Sequence, residues 1–244
     1  MRSVIVAPTY NERENIELFL RAVRSAVPDA DVLVVDDNSP DGTGDVADQV
    51  AAELGQIKVL HRPGKNGLGS AYRQGFSIAL DEGYDVIVSM DCDFSHDPRA
   101  ITDLLAAIDG GDDAVVGSRY VSGGGTVDWP VHRRLLSRWG NRYVGVLLGL
   151  GVHDCTSGFR AYTSVALRDI DPTSTTAEGY AFLTELVRRL ANHGYRIGEV
   201  PIIFRDRERG TSKMSSRIII ESMLLVTRWG VSDLIHRRRP HRVR

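Results

Sequence analysis

Cys92 and Cys155 are the only cysteines in 244 residues, too few for a disulfide framework or a thiolate zinc site. A reducing cytosol is the expected setting. No run reaches the roughly 18 to 20 apolar residues of a membrane-spanning helix. Ser3-Val4-Ile5-Val6-Ala7-Pro8 is too short for the apolar core of a signal peptide and has strand character. A soluble or peripheral protein is therefore expected. A large charge of one sign is also missing: the formal net charge is -2, so the chain is not a polycationic nucleic-acid binder. Two nucleotide signatures are absent. Nothing reads G-x-x-x-x-G-K-[ST], and no G-x-G-x-x-G follows the first apolar segment. What is present is an ordinary globular composition, 42% hydrophobic and 25% charged, long enough to bury a substantial core. The charge is uneven only at the end, where His236-Arg237-Arg238-Arg239-Pro240-His241-Arg242-Val243-Arg244 has no acid to balance it.

Short β-branched apolar runs at 3–7, 31–35, 57–60, 85–90 and 114–117 read as buried strands. Helical periodicity occupies 15–27, 43–54, 70–82 and 98–109 between them. This alternation predicts an α/β fold with a mostly parallel sheet and helices on both faces. Three strand ends carry polar clusters: Pro8-Thr9-Tyr10-Asn11-Glu12, Asp36-Asp37-Asn38-Ser39-Pro40-Asp41-Gly42-Thr43, and Asp91-Cys92-Asp93. In a parallel sheet all three open on one rim, where ligands sit. Asp91 and Asp93 repel each other unless a cation joins them. Hard divalent ions take one or two carboxylates plus substrate phosphates, so the pair suits a metal–diphosphate. A strand-end turn with solvated aspartates is the alternative. Gly64-Lys65-Asn66-Gly67-Leu68-Gly69 is a weak phosphate cradle, and a tight strand–helix connection explains it at least as well.

Further motifs follow in order: Asn66-Gly67-Leu68-Gly69, Met90-Asp91-Cys92-Asp93-Phe94-Ser95-His96, Gly117-Ser118-Arg119-Tyr120, Ser157-Gly158-Phe159-Arg160 and Gly210-Thr211-Ser212-Lys213. With the first two clusters, they make the chain resemble glycosyltransferase family 2, which has the GT-A fold. Within that family it is most similar to the polyprenol-phosphate (dolichol-phosphate) mannosyltransferases. The resemblance implies roles by position. Pro8, Tyr10 and Glu12 line the nucleobase and ribose pocket, and Asp36, Asp37 and Asp41 belong to the nucleotide-sugar site. Asp91 and Asp93 coordinate Mg²⁺ or Mn²⁺ on the donor diphosphate. Arg119, Arg133 and Ser137 receive the acceptor phosphate, while Arg207 and Lys213 lie on a loop near the diphosphate. Asp154 occupies a region where relatives with sugar acceptors keep a general base; with a phosphate acceptor its role is open. Glu185 either matches a family carboxylate or pairs with Arg188 or Arg189 on its own helix. One departure is Ser95, where relatives often carry Gln, which removes a carbonyl ligand for the metal.

The implied reaction is inverting transfer of mannose from GDP-mannose to a polyprenyl monophosphate. The rivals are UDP-glucose as donor on the same lipid, a protein or polysaccharide acceptor, and a silent nucleotide-sugar binding module. The expected division is a catalytic domain at 1–213 followed by an amphipathic helix and basic tail at 214–244. Residues 129–150 and 218–235 form amphipathic helices bearing tryptophan and arginine, which suit peripheral attachment to the cytoplasmic face of an anionic membrane. Core packing, or a membrane-protein partner as anchor, is the alternative.

Overall fold

Alternation of β-branched strands with helices whose apolar residues recur every three to four positions makes a doubly covered sheet. The computed structural model describes residues 1–206 and 216–235. Strand β1 (Ser3–Thr9) leads through α1 (Arg13–Ala26) to β2 (Asp31–Asp36), and α2 (Thr43–Leu54) leads to β3 (Ile57–His61). Helix α3 (Leu68–Asp81) then returns to β4 (Val86–Ser89), and α4 (Ile101–Asp109) to β5 (Ala114–Ser118). Strand β6 (Gly125–Thr126), α5 (Val131–Leu148), β7 (Arg160–Thr163), α6 (Ser164–Asp169), α7 (Gly179–His193), β8 (Ile197–Pro201), β9 (Ile203–Phe204) and α8 (Ser216–Ile235) complete the order.

The seven-stranded sheet runs β3-β2-β1-β4-β7-β5-β8. β7 is antiparallel to both β4 and β5, and every other neighbouring pair is parallel. The mostly parallel sheet is thus as expected from the sequence. Strands β6 to β9 have no counterpart in the periodicity reading: β7 is four residues that begin with a buried arginine, and β6 and β9 are two residues each. Successive β1 side chains point to opposite faces. Ile5 and Ala7 pack with Phe19 and Leu20 of α1 and with Leu104 of α4, whereas Val4 and Val6 pack with Tyr72 and Phe76 of α3 and with Phe182 and Leu186 of α7.

A third apolar cluster joins α5, α7 and α8 through Val144, Leu148, Val187 and Val226. Tyr143 Oη lies 2.8 Å from Thr227 Oγ1, and Leu147 packs against Gly230. Those contacts advance together along the two chains, so α5 and α8 lie side by side in the same direction. Arg188 of α7 ties to Asp233 of α8 through an ion pair. No helix among the described residues is long and apolar enough to cross a membrane.

The topology decides where chemistry gathers. β1 to β5 and β8 all end on one rim, and β7, running the other way, begins there. The loops after β1, β2, β3, β4, β5 and β8 and the loop before β7 therefore converge.

Candidate active site

The β1 and β2 ends lie side by side, Thr9 opposite Asp36. Thr9 Oγ1 donates to Asp36 Oδ1 at 2.8 Å, and Ser39 donates to Asp36 through its amide at 2.9 Å and its hydroxyl at 2.6 Å. The Asp36 carboxylate is thus used in closing its own loop. Asp41 acts likewise: it accepts from the Thr43 amide and hydroxyl at 3.0 and 2.6 Å and from the Arg13 amide at 3.2 Å. Partial burial would raise its carboxyl, but these donors hold it below the usual carboxylate range. Glu12 joins the same knot, its amide donating to Thr43 Oγ1 at 2.9 Å and its carboxylate accepting from Asn15 Nδ2 at 2.9 Å. Asp37 is different. It is buried and ion-paired to Arg62, whose remaining nitrogens bond Gln74 Oε1 at 2.9 Å and Ser70 Oγ at 2.6 Å. Tyr10 is half-buried with the Lys65 ammonium 4.0 Å from its ring centre, and Pro8 is half-buried beside it. The loop at Gly67 is a close-packed connection: Gly67 has φ +91°, and a Cβ there would sit 2.6 Å from Glu178 Oε2.

Asp91 and Asp93 follow β4 in the centre of the rim. Tyr72 Oη, on a fully buried ring stacked against Phe76 and Phe182, donates to Asp91 Oδ1 at 3.3 Å. Burial, reinforced by Asp91, raises the Tyr72 phenol well above its ordinary pKa, so it stays a donor. Gly158 leaves room beside the same carboxylate; a Cβ there would lie 3.5 Å from Asp91 Oδ2. Phe94 adopts φ +58°, uncommon for an aromatic residue, and this turn lets the Ser95 amide donate to Asp93 Oδ1 at 3.0 Å. His96 is buried, stacked 5.2 Å from Phe159 and edge-on to Phe204 at 5.3 Å. Its Nδ1 has no hydrogen-bond partner among the described residues. Burial pushes its pKa down to about 4, with Arg119 acting the same way and Asp93 and Asp154 opposing, so the ring is neutral.

No group of three or more His, Cys, Asp or Glu side chains among the described residues is placed to hold a metal ion. Two carboxylates on one loop are still the donor set of Mg²⁺ or Mn²⁺ when substrate oxygens complete the shell. The residues present therefore fit an ion that arrives with a diphosphate, not a resident protein cage.

Arg119 follows β5. Its Nε and Nη2 donate to the two oxygens of Asp154 at 2.7 Å each, its amide adds a third bond at 3.1 Å, and Nη2 also reaches Thr156 Oγ1 at 2.8 Å. Asp154 is fully buried. Burial alone would raise its carboxyl, but Arg119, with Arg160 behind it, holds it below the usual range. Arg160 is itself fully buried and donates to the carbonyls of Ser157, Leu183 and Cys155 at 2.7, 2.6 and 2.7 Å. Burial pushes the Cys155 thiol up to about 12. The Arg119 guanidinium lies 5.3 to 5.7 Å from the rings of Tyr120, Phe204 and Trp129. Tyr120 Oη donates to Ser137 Oγ at 2.6 Å. Arg133 stacks on Trp129 and pairs with Asp206.

The structure thus brings Asp37, Asp91, Asp93, Arg119 and Asp154 to loops of one rim, and helix α5 sets Ser137 against Tyr120 and Arg133 against Asp206 beside Arg119. Glu185 pairs with Arg189 four residues on, at 2.7 Å, and accepts from the Ala177 amide at 3.4 Å. Arg207, Lys213, the Gly210-Thr211-Ser212-Lys213 motif and the basic tail 236–244 lie outside the described residues. Sequence reasoning missed Arg62, Tyr72, Trp129, Phe204 and Asp206. Arg62 had a usable signal, since it directly follows a strand whose end opens on the same rim. Asp206 had none.

Residues 3–171 match the family model Glycosyl transferase family 2. Over 239 residues the chain is 46% identical to the polyprenol monophosphomannose synthase of Mycolicibacterium smegmatis, covering 98% of this chain and 90% of that protein. Over 232 residues it is 50% identical to the undecaprenyl-phosphate mannosyltransferase of Micrococcus luteus, covering 95% of each. Among solved structures it resembles glucosyl-3-phosphoglycerate synthase from Mycobacterium tuberculosis, in complex with Mn²⁺, UDP and glucosyl-3-phosphoglycerate. The TM-score is 0.62 at 18% identity, covering 98% of this chain and 80% of that one. It also resembles a mannosyltransferase from Pyrobaculum calidifontis, in complex with GDP-Man and Mn²⁺, with TM-score 0.58 at 17% identity, covering 96% of this chain and 64% of that one. These two likenesses establish a shared fold.

Proposed function

The chain belongs to glycosyl transferase family 2, and from that premise we propose that it transfers mannose from GDP-mannose to a polyprenyl monophosphate, with inversion at the anomeric carbon. The observation that carries this reading is the state of Asp154. It is the fully buried carboxylate beside Arg119, which holds it on both oxygens. A carboxylate so paired, with its pKa lowered, is a poor general base. An acceptor hydroxyl would need a base; an acceptor phosphate is already anionic and needs cations instead. Arg119 and Arg133 supply them. The names of the two relatives that keep about half of the residues support the same acceptor class.

In this reading Asp37, fixed by Arg62, meets the nucleoside, with Pro8, Tyr10 and Glu12 around it. Asp91 and Asp93 would hold Mg²⁺ or Mn²⁺, which when bound supplies positive charge to the departing diphosphate. Tyr72 orients Asp91, and the Phe94 turn orients Asp93. Arg119, locked by Asp154, and Arg133 set the acceptor phosphate in line with the C1–O bond of the donor sugar. A phosphate oxygen forms the new bond to C1 as the bond to the diphosphate breaks, and the electron pair leaves with GDP. No proton has to move.

Peripheral attachment to the cytoplasmic leaflet accompanies this reading. α5 leaves Val131, Leu135, Trp139 and Val146 exposed, and α8 leaves Leu224, Val231 and Ile235 exposed. On each helix these residues fall on one stripe, with Arg142 and Arg228 among them. Because the two helices lie side by side in one direction, the stripes share an outer surface suited to an anionic interface.

The test is a transfer assay with a polyprenyl phosphate, Mg²⁺ or Mn²⁺, and labelled GDP-mannose or UDP-glucose in parallel, counting label in the organic extract. Mannose label that disappears with EDTA is the expected result. Glucose label alone overturns the donor. Nucleotide release without lipid label overturns the acceptor.

A further inference from the structure

Asp206 follows β9 on the acceptor side of the rim, and its two oxygens have different partners. Oδ1 accepts from Trp129 Nε1 at 3.0 Å and Oδ2 accepts from Arg133 Nη1 at 2.6 Å. The Arg133 guanidinium in turn lies 4.1 Å from the centre of the Trp129 ring. The three side chains close a triangle: indole to carboxylate, carboxylate to guanidinium, guanidinium to indole face. Trp129 is anchored edge-on to Phe204 at 5.3 Å, the same ring that meets His96 and Arg119. The triangle is therefore fixed to the rim where Arg119 sits. Its charged members remain reachable, Arg133 being 38% and Asp206 42% exposed.

An exposed arginine–carboxylate pair adds little to folding stability. Its effect falls on what else Arg133 can bind. A phosphate monoester carries nearly two charges and three acceptor oxygens, and it matches the guanidinium fork better than a single carboxylate oxygen does. We propose that Asp206 is an internal stand-in for the acceptor phosphate. Without acceptor it neutralises Arg133 and holds it flat on Trp129; the incoming phosphate takes its place by exchange. Asp206 is thus a positioning residue that sets acceptor affinity below what Arg133 alone would give, and it keeps weak monoanions off the site. This rests on reading Arg133 as an acceptor-phosphate ligand.

A short-chain isoprenyl monophosphate, titrated by calorimetry and used as acceptor in steady-state transfer, tests the exchange on Asp206→Asn, Asp206→Ala, Arg133→Ala and the Asp206→Asn/Arg133→Ala double variant. Both Asp206 substitutions are expected to lower the acceptor Kd and KM about two- to five-fold, the size of an exposed ion pair. The donor KM stays in place, and the gain vanishes when Arg133 is absent. If Arg133→Ala weakens acceptor binding but neither Asp206 variant tightens it, the exchange is wrong and the acceptor reading stands. If Arg133→Ala leaves acceptor binding unchanged, the acceptor reading fails, and the proposal with it.

Discussion

Asp154 and Arg119 show how one residue's role depends on what its neighbour does with it. The pair is buried and bidentate, so removing one partner strands a charge, whereas removing both does not. Asp154→Asn is expected to lower unfolding free energy by about 3 kcal/mol in urea titrations, and Asp154→Asn with Arg119→Met to recover part of that loss. A general base would behave otherwise, losing activity with stability intact. In the proposed reading Asp91 and Asp93 are the reverse case, carboxylates that act on a ligand. Asp91→Asn and Asp93→Asn are each expected to abolish transfer while leaving the thermal transition within a few degrees of the parent. Full activity of Asp91→Asn at high Mn²⁺ would remove Asp91 from the metal site. Of the residues at this scale, the acidic pair was legible as a strand-end Asp-x-Asp, which a solvated turn would explain as well, and it was the ordered motifs around it that pointed to a metal. Asp36 and Asp41 were legible as a cluster but not as individuals. Whether an aspartate faces a ligand or its own loop is decided by hydrogen bonds to Thr9, Ser39 and Thr43, which no spacing rule reports.

At the scale of elements, α5 and α8 carry the argument. Each has a buried side, Val144 with Leu148 and Val226 with Gly230, and an exposed apolar side. Periodicity marks both as amphipathic, but it cannot tell an exposed stripe from a buried one, because apolar residues lie on both. The parallel packing of the pair joins the exposed stripes into one surface. Leu135→Glu with Trp139→Glu on α5 is expected to reduce co-sedimentation with vesicles containing anionic lipid at least several-fold. Transfer to a detergent-dispersed short-chain acceptor should be largely retained. Unchanged sedimentation would mean that this surface is not the attachment face. The Arg188–Asp233 tie makes α8 an integral part of the α5–α7 packing, so truncating at residue 213 should expose Val144 and Val187 and destabilise the remainder.

At the scale of the whole molecule, stability depends on pH through groups the fold has buried. His96 is neutral in the folded protein, with its pKa lowered from 6.5 to about 4. The unfolded chain therefore binds a proton that the folded one refuses between those values. Folded stability is complete above pH 6.5 and falls with decreasing pH, at up to about 1.4 kcal/mol per unit from this group, reaching about 3 kcal/mol near pH 4. Asp154 adds to the loss in a lower window, since a depressed carboxyl contributes stability above its ordinary value of 3.8 and gives it up as pH falls further. Urea titrations from pH 7.5 to 4 should show the decline, and His96→Asn should flatten it; equal slopes would mean that His96 is not buried neutral.

The sequence by itself determined the layered α/β fold, the polar clusters at strand ends that open on one rim, and the family. Those follow from local patterns: hydrophobic period, turn residues at strand ends, and motifs in order. Only the tertiary structure decided that Arg62 answers Asp37, that Asp154 is tied to Arg119, and that Trp129, Arg133 and Asp206 close a triangle across 77 residues of chain. The antiparallel β7 is the physical reason for much of this. By running against β4 and β5 it brings the 154–158 loop to the rim between them. Charges distant in sequence then meet in a buried place, where each must find a partner.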